Sequence, residues 1–401
     1  MSIIVQKYGG SSVSTPEKIL EVAARVVATR AQGHKVVVVV SAMGNTTNEL
    51  LELAQRVSPH PQRRELDMLL TVGERISMSL LSMAIQDLGV SAISFTGSQS
   101  GMITTGTHTN ARITKVKPHR IQSALDQDKV VIVAGFQGVS EQLEITSLGR
   151  GGSDTTAVAL AAALGAEFAE ICSDVDGVYS ADPRVAPEAQ RVAQLSYEEM
   201  QQLADSGAKV LNAEAVEWAR RNEIEIVCSA TRDPLRSGTS VSPLAHSEAH
   251  SHPRASAVTH HPGLYYIYGE GPLPEGLLAT LSDFGLIEAE LQRTGPLTQE
   301  GAWSCWVPIQ NLHPVEPLIE AVKACGARLE ASPWTLVSVI GRGLLGGEDE
   351  APLAVAERTI TELGILARGP EVSPSRLRWA VAEPDAKRLV QALHDALITQ
   401  T

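Results

Sequence analysis

Residues Lys35–Val40 read Lys-Val-Val-Val-Val-Val, and this run limits the fold more than any other stretch of the chain. Consecutive β-branched residues favour an extended strand, and the lack of polar alternation requires cover on both faces. A second apolar stretch, 3–7, precedes it, and between the two lies a helix start. Thr15 is placed to cap, Pro16 takes the first helical position and Glu17 supplies an early acid. The helix that follows sets Ile19, Leu20, Val22, Ala23, Val26 and Val27 on one face. Further strands are predicted at 90–95, 130–134 and 170–173, and helices at 66–88 and 155–164. Strands alternating with helices give an α/β protein with a mostly parallel sheet covered by helices on both sides.

Near residue 242 the texture changes. The stretch 246–261 is polar and holds five of the eleven histidines (His246, His250, His252, His260, His261). Irregular spacing and the lack of a cysteine favour a solvated linker over a metal site. Beyond it, strands are predicted at 263–269, 287–293, 304–310, 335–340 and 376–381, and helices at 274–284, 316–325, 351–363 and 383–398. They resemble two β-α-β-containing units of similar architecture without a clear sequence repeat. A length of 401 residues accommodates two or three domains. Only 4% of the residues are aromatic, so Ala, Val, Leu and Ile must fill the cores.

The net charge of −13 argues against a nucleic-acid partner, while leaving room for a small anion at a local site. No run of about 18 apolar residues is present, so no membrane span is expected. Cys172, Cys228, Cys305 and Cys325 are far apart and read as reduced thiols. The N-terminal residues lack a basic region followed by a long apolar stretch, so a cytoplasmic location is expected.

Three glycine-rich segments carry chemical potential. Lys7-Tyr8-Gly9-Gly10-Ser11-Ser12 joins the first strand to the first helix. Glycines there let backbone approach a ligand, the helix start offers N–H groups to an anion, and Lys7 could reach a phosphate. Alone, it also reads as a tight turn with a surface lysine. Gly149-Arg150-Gly151-Gly152-Ser153-Asp154 opens a later helix. Its arginine fork suits a carboxylate, and Asp154 could orient Lys7, hold an ammonium, lie near a metal or cap the helix. The third, residues 173–184, is rich in turn formers and reads either as a polar loop or as a nucleotide rim around Tyr179, Asp182 and Arg184. Ser41-Ala42-Met43-Gly44, with Thr46 and Thr47, follows the valine strand, where open α/β sheets bind ligands. Glu74, after Gly73 in a predicted helix, reads by itself as solvated. No G-x-x-x-x-G-K-[ST] occurs, and Asp283-Phe284-Gly285 lacks the H-R-D that would give it meaning.

Taken together, KYGGSS at 7–12, SAMGNTT at 41–47, Gly73-Glu74, FTGSQ at 95–99, AGFQG at 134–138, LGRGGSDTTA at 148–157, SDVDGVYSADPR at 173–184 and GAKVL at 207–211 resemble the aspartate kinases of the amino-acid kinase superfamily. The resemblance implies a carbamate-kinase-like three-layer sandwich, with a mainly parallel eight-stranded sheet, over 1–242. It implies a linker at 243–256 and paired, diverged ferredoxin-like βαββαβ ACT domains over 257–401. It further implies transfer of the γ-phosphoryl of ATP to the β-carboxylate of L-aspartate, with Mg²⁺. Under it, Lys7, Glu74, Arg150 and Asp154 are catalytic. Arg150 grips the α-carboxylate and Glu74 faces the amino group, which replaces the solvated reading. Ser41, Thr47, Gly151, Gly152 and Ser153 line the substrate. Lys7, Tyr8, Gly9, Gly10, Ser173, Asp174, Tyr179, Asp182, Arg184 and Lys209 form the nucleotide side. No protein metal ligand is assigned.

The chain departs from that pattern in places. Asn212-Ala213-Glu214 stands where the family commonly has His-Pro-Arg, and Cys228-Ser229-Ala230 where Arg-Ser-Ser is usual. Beyond residue 257 the loop Gly269-Glu270-Gly271-Pro272-Leu273-Pro274 and the strand Ile287-Glu288-Ala289-Glu290-Leu291 depart from the effector motifs. The expectation is a homodimer through the ACT region, with inhibition by lysine and threonine reduced or absent. The competing readings are a kinase of glutamate or N-acetylglutamate and a non-catalytic amino-acid sensor.

Overall fold

The computed structural model describes residues 1–149, 151–208, 210–243, 254–284, 286, 290–294, 302–308, 315–346 and 351–399. Two compact units emerge: Met1–Tyr179 with Arg191–Asp205 and Lys209–Ser251, and Ser180–Gln190 with Ser206–Ala208 and His252–Thr401.

The first unit begins with β1 (Ile3–Tyr8), α1 (Pro16–Ala31), β2 (Lys35–Val40), α2 (Thr46–Val57), α3 (Arg63–Leu70), α4 (Val72–Asp87) and β3 (Ala92–Phe95). There follow β4 (Met102–Thr104), β5 (Ile113–Val116), α5 (His119–Asp126), β6 (Val130–Ala134), β7 (Gln137–Ser140), β8 (Ile145–Ser147), α6 (Gly152–Leu164) and β9 (Phe168–Ser173). The unit closes with β10 (Gln194–Leu195), α7 (Tyr197–Asp205), α8 (Ala213–Asn222), β11 (Ile226–Ala230) and β12 (Thr239–Val241). Eight strands form one sheet in the order β10-β12-β11-β9-β1-β2-β6-β3. Every pairing in it is parallel except β11 with β12. The valines of β2 are all buried, as a strand covered on both faces requires. One face packs Tyr8, Val36, Val38 and Val40 against Ile19, Val22 and Val26 of α1 and Leu81 and Ile85 of α4. The helix α6, buried along most of its length, packs against β1, β2 and β9.

Some sequence expectations change. The predicted helix 66–88 is two helices that meet at Thr71, whose hydroxyl donates to the Asp67 carbonyl at 2.8 Å. By length and composition alone the stretch Arg63–Asp87 could cross a membrane, and more than half of its most apolar window is buried in this unit. The four-stranded sheet β5-β4-β7-β8 was not foreseen. Its strands are only three or four residues long, too short for a period to register.

The second unit contains β13 (Arg254–Glu270), α9 (Leu277–Asp283), β14 (Glu290–Thr294), β15 (Ala302–Pro308), α10 (Glu316–Ala324), β16 (Arg328–Arg342), α11 (Pro352–Glu362), β17 (Arg368–Ser373), β18 (Arg376–Ala382) and α12 (Glu383–His394). The polar stretch read as linker is therefore strand from Arg254 onward, including His260 and His261, while 244–253 lies outside the described residues. The predicted strand residues 287–289 and 309–310 also lie outside them. The sheet runs β14-β15-β13-β16-β18-β17, antiparallel throughout. The later half of β13 with α9, β14, β15, α10 and the start of β16 makes one βαββαβ arrangement. The end of β16 with α11, β17, β18 and α12 makes a second, whose fourth strand is the early half of β13. Register shifts in β13 between His261 and Tyr266, next to Pro262, separate the halves. Each half has its own core: Ile267, Leu277, Trp303 and Leu318 in one, Val258, Val337, Trp379 and Leu389 in the other.

Candidate active site

The site forms at the carboxyl ends of the central parallel strands of the first unit, where such sheets place ligands. Lys7 sits near the end of β1. The Ser41 N–H beyond β2 donates to the Tyr8 carbonyl at 3.1 Å, and the Gly135 N–H beyond β6 donates to the Val40 carbonyl at 3.0 Å. The N-terminus of α6 reaches the same edge. Lys7 Nζ lies 2.6 Å from Asp154 Oδ1, with side chains only 12% and 10% exposed. So dehydrated a pair holds together because either charge alone would be costly to bury. Asp154 is thus an ion-pair partner and not a cap; Gly151 occupies the cap position and no side chain caps the helix. Ser153, one residue earlier, has its Oγ 2.9 Å from the Ser41 Oγ.

On the other side of Ser41 stands α4. A Cβ at Gly73 would lie 2.7 Å from the Ala42 Cβ, so only glycine lets this helix approach so closely. That approach puts Glu74 Oε1 within 3.1 Å of the Ala42 N–H. Glu74 is 3% exposed, and its Oε2 has no hydrogen-bond partner among the described residues. Burial pushes the carboxyl up to about 7, against the pull of the Ala42 N–H. The residues form a connected arc: Glu74, Ala42, Ser41, Ser153, Asp154, Lys7.

Other expected residues are placed as follows. Gly151 has φ +74°, and a Cβ there would overlap the Asn212 side chain. Gly152 begins α6, and Thr47 lies half-buried in the first turn of α2. The Gly9 N–H donates to the Cys172 carbonyl at 3.3 Å, so of the two glycine amides expected at a phosphate only that of Gly10 is uncommitted by the sheet. Tyr8 is a correction. Alternation along β1 turns Lys7 toward α6 and Tyr8 into the fully buried α1 face, where its hydroxyl donates to Gln6 Oε1 at 3.3 Å. Its side chain is core and not part of the site.

On the expected nucleotide side, Ser173 ends β9 with its Oγ accepting from the Val175 N–H at 3.2 Å. Asp174 is exposed. The Tyr179 hydroxyl donates to Asp176 Oδ1 at 2.9 Å, and that bond raises its pKa. Asp182 and Arg184 belong to the second unit, where they pair with each other at 2.7 Å; Arg184 is 89% exposed. Arg150 and Lys209 lie outside the described residues.

Two further residues matter here: Asn212, which the sequence showed only as a departure from the family pattern, and Asp67, which sequence reasoning missed. Asn212 accepts from the Glu214 and Ala215 N–H groups at the start of α8, at 2.9 and 3.3 Å, and from Thr155 Oγ1 at 3.4 Å. The departure from the family pattern therefore falls against the Gly151 turn. Asp67 is fully buried on α3, and its place in the predicted helix 66–88, seven residues before Glu74, was the available signal. Cys228 is buried, and burial followed by the Asp154 charge pushes its thiol up to about 12.

Among the described residues no group of three or more His, Cys, Asp or Glu could cage a metal ion. The donor set fits an ion that arrives on phosphate oxygens and keeps its waters, as Mg²⁺ does.

Residues 2–229 match the amino acid kinase family. The chain is 60% identical over 227 residues to an aspartokinase of Mycobacterium tuberculosis, a match that covers 56% of this chain and 54% of that one. The chain thus spans about half the length of such relatives. It is 38% identical over 399 residues to an aspartokinase of Geobacillus stearothermophilus, covering 99% of this chain and 97% of that one. The fold is like that of E. coli aspartokinase III in complex with aspartate and ADP, with a TM-score of 0.79 at 23% identity over 98% of this chain and 99% of that one.

Proposed function

The chain belongs to the amino acid kinase family, and from that membership we propose that it is an aspartate kinase, transferring the γ-phosphoryl of ATP to the β-carboxylate of L-aspartate to give 4-phospho-L-aspartate. The observation that carries this reading is the arc from Glu74 to Lys7. It sets an unpartnered buried carboxylate oxygen at one end and a pinned cation at the other.

The acceptor carboxylate, with an ordinary pKa of about 4, is already ionised at neutral pH, so no general base is needed. What remains is to bring two anions into line and to stabilise charge on the moving phosphoryl. Lys7, held in direction by Asp154, supplies positive charge where it develops, and the Gly10 amide adds a donor. Glu74 Oε2 receives the ammonium of the amino acid, Arg150 the α-carboxylate, and Ser41, Thr47, Gly151, Gly152 and Ser153 surround it. Ser173, Asp174, Tyr179 and Lys209 make the nucleotide side. Mg²⁺, when bound on the nucleotide, neutralises phosphate charge.

In this reading the enzyme works in the cytoplasm, at the entry to lysine, threonine, methionine and diaminopimelate synthesis. The second unit comprises two ACT domains that pair with a second copy, and feedback by lysine and threonine is weak. ADP release on mixing with Mg·ATP tests the activity. Turnover with aspartate and none with glutamate or N-acetylglutamate is expected; the reverse preference, or no turnover, overturns the proposal. Cooperative inhibition at millimolar lysine or threonine would overturn the statement about feedback.

A further inference from the structure

Asp67 has no part in the reaction as derived above, yet it is the most completely enclosed carboxylate near the site, with no exposure at all. No lysine or arginine pairs with it among the described residues. Its donors come instead from two other segments. Ser147 Oγ, at the end of β8, donates at 2.5 Å, and the Thr109 N–H donates at 3.0 Å to one oxygen and 3.2 Å to the other. His108 Nδ1 lies 2.6 Å from Oδ2. Burying a carboxylate costs several kcal/mol, and removing a donor from a filled set exposes that cost.

The connections place this carboxylate between the two ends of the proposed amino-acid clamp. One end is the α3–α4 joint that leads to Glu74. It is fixed by Gln137 Nε2, which donates to the Thr71 carbonyl at 3.0 Å. The other end is the turn that follows Ser147 and carries Gly149, Gly151 and Gly152. Ser147 also accepts the Ala111 N–H at 2.8 Å, and a Cβ at Gly149 would lie 2.8 Å from Asn110 Oδ1, so the 108–111 loop lies directly against that turn. Thr109 is held at φ +66°, a conformation that a threonine keeps only when its surroundings impose it.

We propose that Asp67 is a positioning residue. It ties the 108–111 loop and the 147–152 turn to the helix pair that carries Glu74, and so sets the spacing across which the acidic amino acid is gripped. This rests on the aspartate kinase reading for its kinetic consequence, but its structural consequence stands apart.

The test uses the full-length protein with Asp67→Asn, which keeps the shape and removes one acceptor, and Ser147→Ala, which removes one donor and leaves the carboxylate. Amide hydrogen exchange should quicken at 105–111 and 145–152 in both variants and remain unchanged at 7–12. KM for aspartate should rise about tenfold in Asp67→Asn and less in Ser147→Ala, with KM for ATP within about twofold. Unchanged exchange, exchange raised throughout the first unit, or parallel rises in both KM values would overturn the proposal. Absence of aspartate turnover in the unaltered protein would sink the activity instead, and the exchange pattern would still decide what Asp67 does.

Discussion

The two units spend their polar groups differently. In the first, a parallel sheet is covered on both faces and charged groups are driven inside it. Lys7 pairs with Asp154, and Glu170, wholly buried, takes Arg25 at 3.0 Å together with Gln6 and Ser229. In the second, an antiparallel sheet keeps charged groups mostly where water can reach at least one partner. Arg368 bridges to Glu330 at 2.8 Å with 44% and 27% exposure, and its guanidinium lies over the rings of Tyr266 and Trp334 at 5.1 and 4.7 Å. Removing a partner therefore has unequal consequences. For Lys7–Asp154 and Arg25–Glu170 it strands a charge away from water, at about 3–5 kcal/mol, whereas for Arg368 and Glu330 the survivor hydrates at about 1 kcal/mol or less. Chemistry belongs with the first kind of arrangement, since a pinned and dehydrated cation acts more strongly on a passing anion.

The sharpest way to break that contrast is Lys7→Ala. Turnover with aspartate should fall by about a thousandfold, the scale of losing one preorganised donor of charge. Circular dichroism should still report a folded chain, because the sheet core around β1 is intact. Turnover within about tenfold of the unaltered protein would mean that the buried pair is structural only. Asp154→Asn should lower turnover less, since it misdirects the cation without removing it.

Next in size is a backbone test within one helix. α6 is flanked by its two cap residues, Gly151 and Gly165, both in left-handed geometry at φ +74° and +60°. A Cβ at Gly165 meets nothing within 4 Å, whereas one at Gly151 overlaps Asn212. Gly165→Ala should cost about 1 kcal/mol, from backbone strain alone, and Gly151→Ala about 2–4 kcal/mol, because crowding is added. Urea unfolding measures both. Equal costs would show that the Asn212 contact is slack.

Smaller still is the pH effect of Glu74. Its carboxyl titrates near 7 when folded and near the ordinary 4.5 when not. A pKa raised by folding favours the folded state below the lower value, and that contribution disappears as pH climbs from 4.5 to about 7. Binding runs the other way. The ammonium of aspartate needs the ionised form, so KM for aspartate should fall severalfold between about pH 6 and about pH 8. Glu74→Gln should flatten both trends, and a pH-dependent KM that persists in it would place the titrating group elsewhere.

These residues also mark what was legible beforehand. Lys35–Val40 and Val130–Ala134 announced themselves as strands because continuous β-branched runs have few other uses. The glycine-flanked Lys7 and Asp154 announced themselves by motif, while their ion pair and the buried state of Glu74 depend on how close α6 and α4 come, which only packing decides. Tyr8 was misplaced although alternation along a strand was enough to put it opposite Lys7. Asp182 and Arg184 were read on the nucleotide side from the 173–184 segment and its family resemblance, and the fold divides that segment, with Ser173, Asp174 and Tyr179 in the first unit and Asp182 and Arg184 in the second. Asp67 was invisible because it belongs to no glycine run, and Asn212 stood out only as a departure from the family pattern; each matters through what it touches. In the second unit the alternation of elements was readable, but not that β13 and β16 each run through two cores.

The mildest expected effect lies in that second unit. Arg368 lies on β17 and couples Glu330, Tyr266 and Trp334 at the sheet's aromatic cluster. Trp334 keeps its own bond to Glu330, Nε1 donating to Oε2 at 3.1 Å, so the remaining partners are not left unsatisfied by its loss. Arg368→Ala should therefore lower stability by about 0.5–1 kcal/mol, the worth of a half-exposed cation over rings, and shift the tryptophan fluorescence as Trp334 gains water. Aspartate turnover should stay as it was. If turnover fell along with stability, the aromatic cluster would be coupled to the chemistry, and the division of labour between a unit that reacts and a unit that does not would no longer hold.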